Sequence, residues 1–526
     1  MIVDYSLDRQ VNTSMGLDER PTCFRNFPHE LIYVSVLSCA QLLTQAALGN
    51  VLVPLHIIGP DIGITNPAEL PWTLAAYSLT VGVFIMITGR LGDIFGHKLL
   101  VLVGFSMFSI FSLLTGMAVY INSSIYFHIM RAFQGLGPTM LLPNAVALLA
   151  RAYPVGLRKS IVFSIFGATA PTGFILGALF GSIFAQLTWW PWAHWVLAIV
   201  CLILAILTQF IVPTELAQAV HPTGKTDVIG AIIGVSGLIL FIFCWNQGPV
   251  VGWDKPYIYS VLIVSIVIIV IFVFVEMRTE EPIMPLSIWS VPGFPGVLGC
   301  MALGWSSFGV FIYYIVQYLE IIRGASPLLT TAMLTPLVIF GLVATITVSQ
   351  LYGRVPAHYL LMASMIFFCI GNTLIATVPV DQIYWGQVFV ATILTPFGMD
   401  ISFPAASLVV SNRMPVHQQG VAASMLNTAI NWSISLGLGV AGTIESQMIK
   451  KGKSPLEGYR SALYAGIGLS ALGVLVALIF CRVPKSTDTD DERQRLANES
   501  TVSTSNTGIN TGTLNDSQRV DDSLKM

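Results

Sequence analysis

Apolar residues occur along most of the chain in long, nearly unbroken runs. Fourteen of these runs approach the ~20 residues that cross a ~30 Å hydrocarbon core as a helix. We therefore predict an all-α membrane protein of fourteen transmembrane spans. The expected spans are 31–53, 72–88, 99–120, 125–150, 161–184, 193–212, 228–246, 257–275, 296–318, 329–350, 357–377, 383–410, 420–443 and 461–482.

Polar segments flank the apolar region at both ends. Residues 1–30 are polar, so we expect a cytosolic tail there rather than a cleaved secretory leader. Residues 483–526 are rich in Ser, Thr, Asn and Asp, which predicts a disordered tail. An even number of spans puts both tails on one side of the membrane. The loops on that side hold nine Lys and Arg residues, and the loops on the other side hold six, so we expect both tails in the cytosol. The plasma membrane is the expected location, with the endoplasmic reticulum or the vacuolar membrane as alternatives.

Composition agrees with a chain that lies in lipid. Of its 526 residues, 55% are hydrophobic and 10% are charged, whereas a soluble domain has about 25% charged residues. The net charge of -2 gives no reason to expect a nucleic-acid partner. The seven cysteines are scattered singly, without the spacing of metal ligands, so we expect apolar fillers and neither a metal nor a cofactor.

An internal repeat accompanies the spans. Segment 137–143 is echoed by 398–404, and 92–97 is echoed by 353–358, at the same offset of 261 residues. This offset corresponds to eight spans, so we predict two homologous six-helix bundles with spans 7 and 8 inserted between them. In transporters built from such repeats, the substrate site lies between the halves near the midplane.

The repeat divides the chain into five segments. They are a cytosolic tail at 1–30, a six-helix bundle at 31–212, a linker with two inserted spans at 213–275, a second six-helix bundle at 276–482 and the tail at 483–526.

Several motifs resemble those of a known family. Segment 89–98, Gly-Arg-Leu-Gly-Asp-Ile-Phe-Gly-His-Lys, resembles the loop between helices 2 and 3 of the major facilitator superfamily, and 131–137 resembles its helix 4 motif. Fourteen spans and segment 281–286 resemble the drug:proton antiporter subfamily, and within it the fungal aminotriazole and boron resistance group. Segments that suggest this group are 41–46, 54–59, 189–192 and 398–404.

The resemblance implies a conformational switch in the loop 89–98. Glycines permit a tight turn there, an acid can sit against a helix N-terminus, and the cations can pair with acids at the cytosolic face. The candidate residues are Gly89, Arg90, Asp93, Gly96 and Lys98.

Span 5 departs from the antiporter motif, which usually has a Gly-Pro pair followed by Gly-Gly. This chain has Ala170-Pro171-Thr172-Gly173-Phe174 instead, and Gly173, Gly177 and Gly181 follow at four-residue spacing. Such a stripe of small residues also serves ordinary close packing of helices.

Two ionisable residues stand out within the predicted spans, Arg131 in span 4 and Asp400 in span 12. Charges at membrane depth cost ~2.5–3.5 kcal/mol and usually mark a cavity or a proton path. Both are therefore candidates for proton coupling or substrate binding. Alternatively, Arg131 is a brace that reaches the outer face, and Asp400 bonds to the backbone of a kink at Pro396 or Pro404. A direct pair between Arg131 and Asp400 is not expected from their depths.

Uncharged polar residues within the spans suit a small polar solute better than an anion. Each is equally able to join two helices by a hydrogen bond. The cavity candidates are Gln41, Gln45, Asn144, Tyr313, Tyr314, Gln317, Asn427 and Asn431.

These features favour a secondary active transporter over an enzyme, since the spans hold no nucleophile and base and no paired carboxylates. We predict proton-coupled efflux of small toxic or polar solutes, as in multidrug resistance. The partners would be the solute, protons and the lipid bilayer. Uptake of a small ammonium- or borate-like nutrient, and nutrient sensing by a transporter-derived protein, are the alternatives.

Overall fold

The computed structural model describes residues 21–154, 156–219, 227–279, 282–351, 354–413 and 416–481, without the side chains of 157 and 411–419. All regular elements in these ranges are helices. The predicted tail at 483–526, most of that at 1–30 and Gly353 of the repeat lie outside the described residues.

Fourteen long helices follow one another along the described chain. The first six are α1 Phe27–Leu52, α2 Trp72–Phe95, α3 His97–Gly116, α4 in two segments Ser124–Gln134 and Leu136–Ala152, α5 Leu157–Leu187 and α6 Pro191–Ile211. Two further helices are α7 Val228–Val251 and α8 Pro256–Glu276. The last six are α9 Phe294–Gln317, α10 in two segments Pro327–Leu334 and Pro336–Leu351, α11 Ala357–Thr377, α12 Gln387–Arg413, α13 Val416–Lys450 and α14 Pro455–Phe480.

Thirteen of the described helices are long and apolar enough to span a membrane. The other, α13, is more polar but has 35 residues, which is more than sufficient length for a fourteenth span. Proline occupies the first position of α6, α8 and α14, where its missing N–H costs no hydrogen bond.

The helices alternate in direction, so α1 begins and α14 ends on the same side, which we call the terminal face. The opposite side is the distal face. Helices α1–α6 pack together as a first bundle, and α9–α14 pack together as a second.

The apolar cores show how the bundles meet. In the terminal half, each bundle has its own core, around Phe105 and Leu148 in the first and around Met365 and Leu426 in the second. In the distal half, residues of both bundles share one core. The described conformation is therefore sealed at the distal face.

Helices α7 and α8 lie beside the bundles. Helix α8 packs on α7, and α7 covers the seam between α2 and α13. Asn246 of α7 donates to the carbonyl of Ser435 at 3.1 Å, and the rings of Phe241 and Trp432 stack at 5.5 Å. Most of α8 is exposed and aliphatic, as expected for a helix that faces lipid.

The glycine stripe of α5 faces α1. A Cβ at Gly177 would collide with the backbone of Ala46, and Gly173 and Gly181 approach the α1 backbone one turn to either side. The stripe thus brings the two helices into close contact, in agreement with the packing interpretation.

Candidate functional site

Asp400 lies about halfway along α12, between the two prolines of that helix. Its Oδ2 atom is buried and has no hydrogen-bond partner in the described part of the chain. A Cβ built at Gly341 of α10 would lie 2.8 Å from this oxygen and 3.6 Å from the ring of Pro171 on α5. The carboxylate therefore lies where α10 and α12 of the second bundle meet α5 of the first.

The kink alternative for Asp400 requires a hydrogen bond to the backbone near Pro396 or Pro404. No such bond is present among the described residues. The residue as a whole keeps some exposed surface, so one carboxylate oxygen is enclosed while the side chain still borders open space. The described contacts therefore give Asp400 no hydrogen bond that would brace the helix kink.

Arg131 is fully buried inside the first bundle. Its Nε donates to the carbonyl of Thr73 at 3.0 Å, one terminal nitrogen donates to Gln134 at 2.6 Å, and the guanidinium lies 4.5 Å from the ring centre of Tyr77. The side chain thus joins α2 to α4 in the bundle interior and does not reach the outer face. Within the described residues it forms no ion pair with Asp400.

The loop between α2 and α3 is short and closely packed. Gly96 has φ +96°, which favours glycine, and it separates the two helices. A side chain at Gly92 would collide with Asn144 of α4. Nδ1 of His97 lies 2.8 Å from Oδ1 of Asn144, and Nε2 of His97 lies 3.6 Å from Asp93. The loop therefore ties α2 and α3 to α4 at the terminal face.

Two expectations for this loop need correction. Gly89 and Gly92 lie within α2, so the turn between the helices is confined to Gly96. Asp93 lies in the last turn of α2, 3.6 Å from His97, which is the first residue of α3. Lys98 donates to the carbonyls of Gln209 and Val212 at 2.8 and 3.0 Å and pairs with no acid among the described residues. Carbonyls in the last turn of a helix lack partners within the helix, and a cation is favourable there. Gly89, next to Arg90, faces Ser424 of α13.

Asn144 does not belong to a solute cavity. It is fully buried. In addition to its contact with His97, its amide nitrogen donates to the carbonyls of Thr88 and Met140 at 3.3 and 2.8 Å. With its amide bonded in this way, Asn144 supports the loop instead of offering hydrogen bonds to a solute.

Four other cavity candidates keep exposed polar surface on two helices. Gln41 and Gln45 of α1 are partly exposed and make no described side-chain hydrogen bond. Asn427 and Asn431 of α13 are also partly exposed, and each donates to a carbonyl of its own helix at 3.0 Å. The carboxamide oxygens of all four remain available to a solute.

Tyr313, Tyr314 and Gln317 are buried at the distal end of α9. The Tyr314 hydroxyl donates to Glu445 of α13 at 2.6 Å, and the two tyrosine rings meet edge to face at 5.0 Å. The two tyrosines belong to the shared distal core, so they contribute to the seal more directly than to a cavity.

Sequence analysis missed Glu445 and Glu320. The predicted spans end at 443 and 318, whereas α13 continues to Lys450 and a π-helical turn at Tyr318–Ile322 extends α9. Both carboxylates therefore follow an apolar run by two residues. The signal that could have found them is the absence of any helix-ending residue after these runs.

Four hydrogen bonds involving side chains link the bundles within the described residues, and all lie toward the distal face. They join His56 to Glu320 (2.7 Å), Ser182 to Thr331 (3.0 Å), the amide of Leu328 to Gln186 (2.7 Å) and Ser435 to the carbonyl of Ala75 (3.0 Å).

The fold and the helix 2–3 loop can now be compared with known proteins. The family model of the Major Facilitator Superfamily matches residues 37–438 and 296–511. The chain belongs to this superfamily. It is an integral, multi-pass membrane transporter and not an enzyme, as the sequence predicted.

Curated fungal relatives cover most of the chain. A low affinity ammonium transporter of Saccharomyces cerevisiae is 49% identical over 88% of this chain and 90% of its own length. An efflux pump of Aspergillus terreus is 41% identical over 86% of this chain and 88% of its own. The aminotriazole resistance protein of S. cerevisiae is 35% identical over 88% of this chain and 86% of its own length. The predicted resemblance to the aminotriazole resistance group is confirmed.

A solved structure supports the fold. The crystal structure of a peptide transporter matches 90% of this chain and 98% of its own, with a TM-score of 0.61 and 15% identity. The major facilitator fold predicted from the repeat and the motifs is thus confirmed.

Proposed function

We propose that this transporter exports small polar or toxic solutes in exchange for protons, and that Asp400 carries the proton or contacts the solute. One observation carries the proposal: the buried Oδ2 of Asp400 has no described partner and lies where α5, α10 and α12 meet. When the two bundles move relative to each other, the environment of a carboxylate at their junction changes.

The physical argument concerns the environment of the carboxylate. An uncompensated carboxylate holds its proton more readily in a low-dielectric surrounding than in water. If rocking of the two bundles opens the contact between α5 and α10, the carboxylate of Asp400 moves from a low-dielectric surrounding into water. Proton release and conformational change then become linked, because each state of the protein prefers one protonation state.

The remaining roles follow from position. We assign solute contacts to Gln41, Gln45, Asn427 and Asn431, whose polar surface is still exposed. We assign conformational switching to the loop 89–98, which ties α2 and α3 to α4 away from the midplane. We place the terminal face and both tails in the cytosol, on the basis of the Lys and Arg bias, and the protein in the plasma membrane.

Replacement of Asp400 tests the proposal. Asp400→Asn keeps the shape and removes the titratable group, so proton-driven accumulation of solute in vesicles should be lost while folding and insertion persist. Asp381→Asn is the matched control, because Asp381 is an exposed carboxylate in the loop before α12. Wild-type accumulation with unchanged pH dependence in Asp400→Asn would refute the proposal.

Uptake of an ammonium-like cation is the second candidate function. It is supported by the relative that is 49% identical and is named a low affinity ammonium transporter. The exposed carboxamide oxygens of α1 and α13 can accept hydrogen bonds from an ammonium group. Uptake of labelled methylammonium by cells that express the chain, with competition by ammonium, would favour this candidate over export. Measurable flux of either kind would exclude a pure nutrient sensor.

A further inference from the structure

A histidine–carboxylate pair joins the two bundles at the distal face. His56 lies in the short helix Leu55–Asp61 after α1, and its Nδ1 is 2.7 Å from Oε2 of Glu320. The other ion pairs of the described residues each join groups within one bundle. The His56–Glu320 pair therefore crosses the line along which the bundles must separate if the distal face is to open.

The two partners are unequally buried. The side chain of Glu320 is 3% exposed and that of His56 is 34% exposed. The second oxygen of Glu320, Oε1, is buried without a hydrogen-bond partner among the described residues. His56 is thus the hydrogen-bond partner of a carboxylate that is otherwise enclosed, and it also keeps exposed surface at the distal end.

Other charged groups lie at this end of the molecule. They are Arg323 on the same segment, Asp381 before α12 and Arg460 on α14, which donates to the carbonyl of Val378 at 2.9 Å. On the α10 side, the neutral hydroxyl of Thr330 lies beside Glu320. His56 is the residue that forms an ion-pair contact with Glu320 in the described part of the chain.

The other side-chain hydrogen bonds that link the two bundles among the described residues are neutral. Ser182 with Thr331, and Gln186 with the amide of Leu328, do not titrate between pH 5 and 8. Histidine and a buried carboxylate can change charge in that range. Glu445, which accepts from Tyr314 at 2.6 Å, is also a buried carboxylate, but both of these residues belong to the second bundle. The His56–Glu320 pair is therefore the described link between the bundles that can respond to protons.

We propose that His56 and Glu320 form a latch that holds the distal face closed, and that a proton taken up by Glu320 from the distal side releases it. The latch rests on the proposed proton coupling, to which it adds a second proton site at the gate. Loss of the negative charge weakens the contact with His56 and leaves a neutral acid, which costs less to separate from its partner than a carboxylate does. The two bundles can then separate at this face.

Labelling of a buried cysteine measures the opening. Ser182→Cys is a small change at a fully buried position of the seal. The full-length protein in detergent is treated with a maleimide at several pH values. Each rate is divided by that of a reference cysteine at exposed Lys451, and the parent protein with Ser182 intact gives the background. Because no solute, proton gradient or membrane orientation is required, the result does not depend on the direction of transport. The same measurement in an Asp400→Asn background separates the response of the latch from that of Asp400.

We expect the relative labelling rate to rise about tenfold, a typical size for coupling between sites, when the pH falls from 7.5 to 5. Glu320→Gln, which resembles the protonated acid, should label rapidly at both pH values. His56→Gln should label rapidly at pH 7.5. Glu69→Gln is the matched control, because Glu69 pairs with His128 at 3.2 Å within the first bundle, and it should behave as the parent does.

Two results would overturn the latch. One is slow labelling at pH 7.5 in both His56→Gln and Glu320→Gln. The other is an equal increase in Glu69→Gln, since that would indicate general loosening of the distal face.

Discussion

Buried ionisable side chains in this protein differ in how well they are compensated. Glu30 near the terminal face bonds to Arg158 at 2.6 Å and to the hydroxyl of Tyr153 at 2.9 Å. Arg131 has two hydrogen bonds and an aromatic ring, although its Nη2 atom is buried without a described partner. Asp400 has a buried oxygen with no described partner. Compensated groups stabilise one arrangement of helices, whereas an uncompensated acid is free to change protonation state.

This contrast predicts different results for Arg131 and Asp400. Arg131→Lys keeps the charge but loses the planar fork that reaches Thr73 and Gln134 at once. We expect a loss of about 1–3 kcal/mol of stability, because buried polar groups are left unpaired. Thermal unfolding of the purified protein in detergent measures it. The Asp400→Asn protein should unfold close to the wild type, and equal stability of Arg131→Lys and wild type would contradict the brace.

At the residue scale, the sequence identifies candidate residues because charged side chains are scarce in the spans. Few charges occur in the spans, so Arg131 and Asp400 stand out without any structure. Asn144 was misassigned because an amide in a span has the same appearance whether it binds a solute or a neighbouring helix. Only the packing of α2, α3 and α4 brings its side chain to His97.

At the scale of helices, small residues decide which pairs approach closely. The α1–α5 contact depends on glycines whose missing Cβ leaves space for the partner backbone. The four-residue spacing is visible in the sequence, but the identity of the partner helix is not.

The ends of the helices cannot be predicted from apolarity, since apolar residues mark the part of a helix that lies in lipid and not the turns beyond it. The extra turns of α9 and α13 carry Glu320 and Glu445 for this reason.

Two glycines of α5 provide a matched test of this contact. Gly177→Ala places a methyl group against the backbone of Ala46, while the same change at Gly167 meets nothing within 4 Å. Overpacking costs about 1–3 kcal/mol, whereas alanine in an open helical position is neutral or favourable. We expect Gly177→Ala to lower the unfolding temperature and Gly167→Ala to leave it unchanged or higher. Equal behaviour of the two variants would show that α1 and α5 are not in close contact.

At the scale of the whole molecule, the cores describe one state of a transport cycle. The bundles share a core in the distal half and have separate cores in the terminal half. Contact between α2 and α13 continues toward the terminal face, where Met86 packs on the second bundle. The bundles can therefore pivot on the distal contacts, and the partly exposed amides of α1 and α13 would be reached from the terminal side.

The last prediction concerns that access. Gln41 lies 14 residues into α1, about 21 Å from its start at the terminal face, and keeps exposed polar surface. Since the described state is sealed distally, a cysteine at position 41 should react with a membrane-impermeant thiol reagent added to the terminal side. The same reagent on the distal side should react much more slowly.

Vesicles of the two orientations provide the comparison. A control cysteine at Ser182, which is buried at the seal, should react slowly from both sides near neutral pH. If Gln41→Cys reacted faster from the distal side, the resting state in the membrane would be open to the opposite face. The shared distal core would then describe a minor state of the cycle.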